Sequence, residues 1–268
     1  MSQACECIDL LLDPHSFIAL GALPFEESPS SKSPPSQENI LTGQGKIKGR
    51  KVSVFVYKTR SDAKRSPEQD SKKITRLIDL ALKTGTPLIG IYDSQDQDKQ
   101  EEIKSLTTIG EIFSRQVMAS GVIPQIAIVM GSCSEELACS VALNDFVIMV
   151  ENHSQIFLSS PERIKAVTHE EIDAETLGGS KVHQTESGVS LLKAPDENAA
   201  LSMARDLFSF LPANNREEAP LQKAQEEVSL IDESLDTFIP KSLHQAYDMK
   251  GFIQKTLDES FFFEIGPS

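Results

Sequence analysis

The sequence predicts an α/β fold organised on a largely parallel sheet, and three observations carry that expectation. Short apolar runs, PLIGIYD at 87–93, Ile123 to Met130 and Phe146 to Val150, have the length and composition of strands buried on both faces. Between them lie segments whose apolar residues recur at helical spacing, and strands alternating with helices imply parallel neighbours with ligand-holding loops at their carboxyl ends. The 268 residues are 39% hydrophobic and 25% charged, with only 14 glycines and 14 prolines, so one or two domains can each close a core. Such a composition excludes a fibrous or wholly disordered chain.

The elements follow in order. Residues 26–39, which read EESPSSKSPPSQEN, are too polar to bury and too broken by proline to pair centrally, so they are expected to form a flexible surface loop. In ILTGQGKIKGRKVSVFVYK, Lys48 and Gly49 separate two alternating segments, the pattern of a hairpin whose second strand runs from Val52 to Tyr57. Ser66-Pro67-Glu68-Gln69 opens a helix with a hydroxyl cap, a first-turn proline and a capping-box glutamine. Gly85 closes it, with Ile74, Leu77, Ile78, Ala81 and Leu82 on one face.

A second helix is expected from Glu101 to Met118 and a short one from Ser134 to Leu143, each leading to the next strand. The carboxyl-end loops are then Ser94 to Asp98 and Gly131 to Glu136. Amphipathic helices begin at Glu197 and again within AYDMKGFIQKTL. LLLDPHSFIALG near the start and TLDESFFFEIG near the end share an L-D-x-x-S-F skeleton, which suggests one repeat and the first step of another.

Charge narrows the function. Forty acidic against 26 basic residues give a formal charge of −14, which opposes binding to a polyanion and argues against a nucleic-acid partner. No stretch approaches the roughly 18 apolar residues a membrane helix needs, and no basic-then-apolar leader opens the chain, so the expected location is the cytoplasm, without a membrane partner. Four cysteines, Cys5, Cys7, Cys133 and Cys139, are too unevenly placed for a disulfide framework. Cys5 and Cys7 lack the further ligands a zinc shell requires, so no metal is expected.

The framework segments carry a resemblance. LLDPHSF, TGQGKIKGRKVSVF, GTPLIGIYDS, ASGVIPQIAIVMGSC, ALNDFVIMV, ERIKAVTHEEIDAETLGGSKVHQTESGV, RDLFSFLPANN and AYDMKGFIQKTLDESFFFEI are colinear from end to end. Together they resemble the N-terminal domain of the carboxyltransferase (β) subunit of biotin-dependent acyl-CoA carboxylases, of the propionyl-CoA carboxylase type. The resemblance implies a crotonase-like superhelix of strand-strand-helix units, residues 1–268 forming a single N-terminal-type domain, with the family's second half absent. In that family the first half binds mainly acyl-CoA and the second mainly carboxybiotin, and the reaction lies between domains of two subunits.

Carboxyl transfer to the α-carbon of an acyl-CoA passes through an enolate, whose oxygen a pair of backbone N–H groups stabilises; losing one such donor typically costs about 3 to 4 kcal/mol. The family motif for that pair, M-G-P-C-A-G-G, falls on Met130-Gly131-Ser132-Cys133-Ser134-Glu135-Glu136. The catalytic candidates are therefore the amides of Glu135 and Glu136, where two carboxylate side chains replace two glycines and oppose the chemistry by bulk and charge. The family's D-S-G-G-A-R loop reads Asp93-Ser94-Gln95-Asp96-Gln97-Asp98, without its glycines or arginine. Candidate substrate-binding residues are Ser94, Gln95, Asp96, Gln97 and Gly131.

Other constellations read more simply as structure. Ser180, His183 and Ser187 offer a hydroxyl and imidazole set with no acid at a suitable spacing, so a structural loop is favoured, Gly178 and Gly179 supplying unusual backbone angles. His169 with Glu170 and Glu171 reads as a solvated helix start, Asp96, Asp98, Glu101 and Glu102 as a solvated acidic face, and Cys133 as buried packing. The FFFEI segment from Phe261 reads equally as a docking edge or as core.

The expected function is a carboxyltransferase-like subunit of a biotin-dependent acyl-CoA carboxylase or decarboxylase assembly, its oxyanion and CoA loops degenerate and its role structural or regulatory. One alternative is an active acyl-CoA carboxyltransferase half completed by a separate biotin-binding chain; another is a free-standing interaction protein on the same fold. The resemblance implies no covalently bound cofactor, with carboxybiotin from a partner chain and acyl-CoA if the chain is active. The implied partners are a homo-oligomer or a full-length or second-half carboxyltransferase chain, together with biotin carboxylase and biotin carrier subunits.

Overall fold

The hairpin that the Lys48-Gly49 turn predicts is the entry to the sheet. In the computed structural model, β2 (Ile40–Ile47) and β3 (Arg50–Lys58) pair antiparallel with Ile47 opposite Arg50, so the loop is two residues long. Both turn residues have positive φ, 50° at Lys48 and 79° at Gly49, as a type I′ turn requires. The two carboxylate oxygens of Asp13 accept from the N–H groups of Lys48 (3.0 Å) and Gly49 (2.8 Å). Arg205 donates to Asp13 at 3.0 Å and to the Leu11 carbonyl at 2.6 Å. One acid thus joins the end of α1 (Gln3–Leu11), the turn and α8 (Glu197–Phe210).

The structure describes residues 3–20, 40–58, 67–94, 102–221, 234–240, 242, 244–257 and 262–266. The expected loop at 26–39, the Ser66 cap, Gln95 to Asp98 and Glu101 lie outside them. Beyond the hairpin, β4 (Leu88–Asp93), β5 (Gln125–Val129), β7 (Phe146–Val150) and β9 (Leu192–Ala194) add in parallel, giving the order β1-β2-β3-β4-β5-β7-β9 with β1 (Ile18–Ala19) at the edge. Two helices, α2 (Pro67–Thr84) and α3 (Glu102–Ala119), make the crossovers, and α4 (Glu136–Ala142) leads into β7. A second sheet pairs β6 (Ser132–Ser134) with β8 (Gln155–Phe157), so strand-strand-helix units stack as the sequence led one to expect.

Alternation along each strand divides the core. Phe55, Tyr92, Ala127, Val129, Val147 and Met149 join Ile74, Leu77, Ile78 and Ala81 of α2 and Ile112 and Ala119 of α3 in one cluster. Residues of opposite parity, Ile89, Ile91, Ile126 and Ile128, are also fully buried, and α8 packs on β5, β7 and β9 with α1 beside it. Burial on both faces is why these strands read as continuous apolar runs.

Helices α5 (Pro161–Thr168), α6 (Ala174–Gly178) and α7 (Ser180–Val182), followed by a single π turn (His183–Ser187), carry the chain from β8 to β9. The helix start expected at His169 is instead a helix end: His169 closes α5 with φ 63° and its N–H on the Lys165 carbonyl, and Asp173 caps the next helix through Thr176. The described residues gather into two units, 1–219 with 266–268 and 220–265. In the smaller one, Phe238 of α9 (Leu235–Phe238) meets Phe252 of α10 (Met249–Thr256) at a centroid distance of 6.0 Å. Among the described residues no helix is long and apolar enough to cross a membrane.

Candidate active site at the carboxyl ends of the central strands

The ends of β4 and β5 meet where the sequence placed its two ligand loops. Gly131 leaves β5 against Ser94: the Ser132 N–H donates to the Ser94 carbonyl at 2.8 Å, and a Cβ on Gly131 would lie 2.4 Å from that oxygen. Only glycine admits so close a backbone approach. Ser94 and Gly131, both buried, are brought together; Gln95, Asp96 and Gln97 fall outside the described residues. Beside them the Lys58 ammonium holds Asp93 at 2.8 Å, both side chains mostly buried.

From Gly131 the chain forms β6, which pairs with β8, and then turns sharply at Glu135 into α4. Glu135 has φ 56° and ψ −123°, the backbone that glycine supplies at the first corner of a type II′ turn and that a side chain opposes. Its N–H donates to the Phe157 carbonyl of β8 at 3.0 Å, so this amide is committed to the second sheet. Its carbonyl accepts from Cys139 and opens the helix, and its carboxylate lies 2.5 Å from the Arg163 guanidinium in the first turn of α5. Of the expected amide pair, Glu135 is engaged within the protein. Glu136 begins α4, where the first N–H groups have no intrahelical partner.

A neutral polar network fixes α4 from behind. Ser140 donates to Gln116 Oε1 at 2.9 Å, Gln116 donates back to the Ser140 carbonyl at 3.0 Å, and Gln125 donates to the Gln116 carbonyl. The Tyr92 hydroxyl lies 3.4 Å from Ser140 Oγ, and desolvation pushes its pKa up to about 12. Desolvation likewise raises the Cys133 thiol, buried in the middle of β6, and pushes Cys7 up to about 11. A thiol so destabilised as thiolate is poorly suited to nucleophilic or metal-binding work.

The His183 ring bridges the Ile156 carbonyl through Nε2 and Ser187 Oγ through Nδ1, each at 2.7 Å. A carbonyl only accepts, so Nε2 donates to Ile156, and with Nδ1 against the Ser187 hydroxyl the ring ties the π turn to β8. Gly178 and Gly179 do not supply unusual angles: neither has positive φ, and Gly179 is extended at φ −72°. They are required by close approach, a Cβ on Gly178 falling 2.1 Å from the Ile156 carbonyl and one on Gly179 2.2 Å from Glu175 Oε1.

Sequence reasoning missed Arg163 and the Phe157 carbonyl, the two groups that hold Glu135. The unlike-charge pair was present in the sequence, but no local periodicity links positions so far apart. Only the second sheet, built from two three-residue strands, brings them together.

A mostly parallel crotonase-type sheet, with a glycine-type turn between β6 of the second sheet and α4, defines the fold class in which this chain falls. Residues 2–268 match the carboxyl transferase domain model, and the chain belongs to that family. It is 38% identical over 265 residues to the propionyl-CoA carboxylase beta chain of Roseobacter denitrificans, covering 98% of this chain and 52% of the relative. It is 40% identical over 230 residues to the methylmalonyl-CoA decarboxylase subunit alpha of Veillonella parvula, covering 86% and 45%. A crystal structure of transcarboxylase 12S with methylmalonyl-coenzyme A and methylmalonic acid bound superposes with a TM-score of 0.84 and 35% identity, covering 98% of this chain and 52% of that one. The chain spans about half the length of the relatives it matches.

Proposed function

We propose that this chain is a carboxyltransferase-type subunit that does not catalyse on its own and serves a biotin-dependent acyl-CoA carboxylase or decarboxylase assembly in a structural or regulatory role. The observation that carries the reading is Glu135. At the expected oxyanion position its N–H is bonded to the Phe157 carbonyl at 3.0 Å, and its side chain stands in a turn whose backbone suits glycine. An enolate needs two donors aimed at one point, and losing one typically costs about 3 to 4 kcal/mol, or two to three orders of magnitude in rate. The expected partners are a chain supplying the biotin-binding half and the carboxylase chains that charge biotin, by analogy with the relatives.

Arg163 neutralises the Glu135 charge, which favours a second reading, an active half that retains the acyl-CoA site and is completed by a separate chain. Purification of the native protein, with a biotin probe on whatever accompanies it, tests assembly; carboxyl transfer in the assembled complex tests catalysis. The first reading expects biotin-bearing company and no transfer that depends on this chain. Transfer lost on removing this chain and restored on adding it back establishes the second reading.

A further inference from the structure

We propose that Arg163 determines which thioester this site accepts, by holding the free carboxylate of a carboxylated acyl-CoA in the place that the Glu135 carboxylate occupies. The proposal rests on the acyl-CoA reading of the site. It begins from a carboxylate already seated there. The guanidinium and Glu135 Oε1 are 2.5 Å apart, with about half of the arginine side chain and a third of the glutamate side chain exposed. The geometry shows a cation within one glutamate side chain's length of the backbone turn at which a thioester carbonyl would be received. An acyl group carboxylated on its α-carbon carries its carboxylate two bonds from the thioester carbonyl carbon. A ligand whose carbonyl approaches the β6–α4 turn therefore brings its carboxylate towards Arg163, whereas an unsubstituted acyl chain brings only a hydrocarbon.

Exchange is energetically accessible. A solvent-exposed ion pair contributes only about 0 to 1 kcal/mol, so displacing Glu135 costs little, and a planar guanidinium can take an incoming carboxylate with two parallel hydrogen bonds. The arginine's carrier is suited to adjustment, since α5 buries none of its residues and is framed by its own Ser160 cap and the left-handed His169. The turn beneath is fixed by the Glu135 N–H on β8, so a change of carboxylate need not move the backbone.

Binding of methylmalonyl-CoA and propionyl-CoA to the full chain, measured by calorimetry, tests the assignment. Arg163→Ala should weaken methylmalonyl-CoA about tenfold and leave propionyl-CoA unchanged, while Glu135→Gln, which removes one competing carboxylate, should tighten methylmalonyl-CoA alone. Arg163→Lys, a point charge without the fork, should recover part of the loss. Equal effects of Arg163→Ala on the two thioesters, or none on either, overturn this proposal and leave the acyl-CoA reading intact. If neither thioester binds the wild-type chain or the variants, both fall.

Discussion

At the hairpin, Lys48 and Gly49 take φ of 50° and 79°, and Asp13 accepts both of their N–H groups. At the β6–α4 junction, Glu135 takes φ 56° with ψ −123°, held by a bond to β8 and an ion pair to α5. Both turns require positive φ, yet their residues answer it differently. In the first, lysine takes one corner and glycine the other, both with the φ a two-residue hairpin turn uses, and a nearby carboxylate satisfies both amides, so the turn chemistry and the fold agree. In the second, a branched path of tertiary contacts imposes on a glutamate a backbone that its own side chain opposes. Agreement across levels marks framework, and a local rule broken and held from outside marks a site.

Breaking the framework should cost most. Phe208 is buried in α8, its ring under the Arg50 guanidinium at 4.7 Å, while its carbonyl and that of Leu211 take the arginine's N–H groups. Phe208→Ala should destabilise by about 3 to 5 kcal/mol, read as a lower denaturant midpoint with an unchanged slope. At the site, Gly131→Ala sets a methyl against the Ser94 carbonyl and should cost about 1 to 3 kcal/mol on the same measurement. A null result there would mean the two loops are less tightly joined than the hairpin.

Glu135→Gly sharpens the comparison because it should act in the opposite direction. Relief of backbone strain is worth about 1 to 3 kcal/mol. Against it stand the unfolded-state freedom of glycine, about 0.5 to 1 kcal/mol, and an exposed ion pair of 0 to 1 kcal/mol. A net gain of about 1 kcal/mol in equilibrium unfolding is expected, while Gly49→Ala, which places a side chain at φ 79°, should be destabilising. Loss of stability in Glu135→Gly would show the turn to be unstrained and the contrast unfounded.

The extent to which the sequence revealed all this follows the same division. The hairpin, the buried strands and α8 were legible because periodicity and turn chemistry are local, and the helix at Glu197 starts where Asp196 caps Ala199. The second sheet was not legible, since three-residue strands carry too little alternation to register. Ser94 and Gly131, two of the residues named through the family resemblance, do meet. The chemistry of the site was not legible, because the partner of Glu135 is a carbonyl on β8 and a cation on α5. His169 was misread because acidic neighbours suit a helix start, whereas a left-handed residue ends α5 and Asp173 starts the next helix.

The smallest expected effect concerns the agreeing turn. Hydrogen bonds from the Gly49 and Lys48 amides, with Arg205 beside them, hold the Asp13 carboxyl below its ordinary value of 3.8. A carboxylate whose folded pKa lies below its unfolded one binds fewer protons in the native state, so its contribution is complete above the unfolded value and is lost as pH falls through the folded one. Thermal unfolding followed from pH 7 down to pH 3 should therefore show a steeper acid loss for the wild-type chain than for Asp13→Asn, which keeps one acceptor and has no charge to lose. The difference should be modest, because Asp13 is about a quarter exposed and solvent screens it. Parallel acid curves for the two chains would mean that the hairpin owes its stability to the twist of its strands and not to the acid that caps its turn.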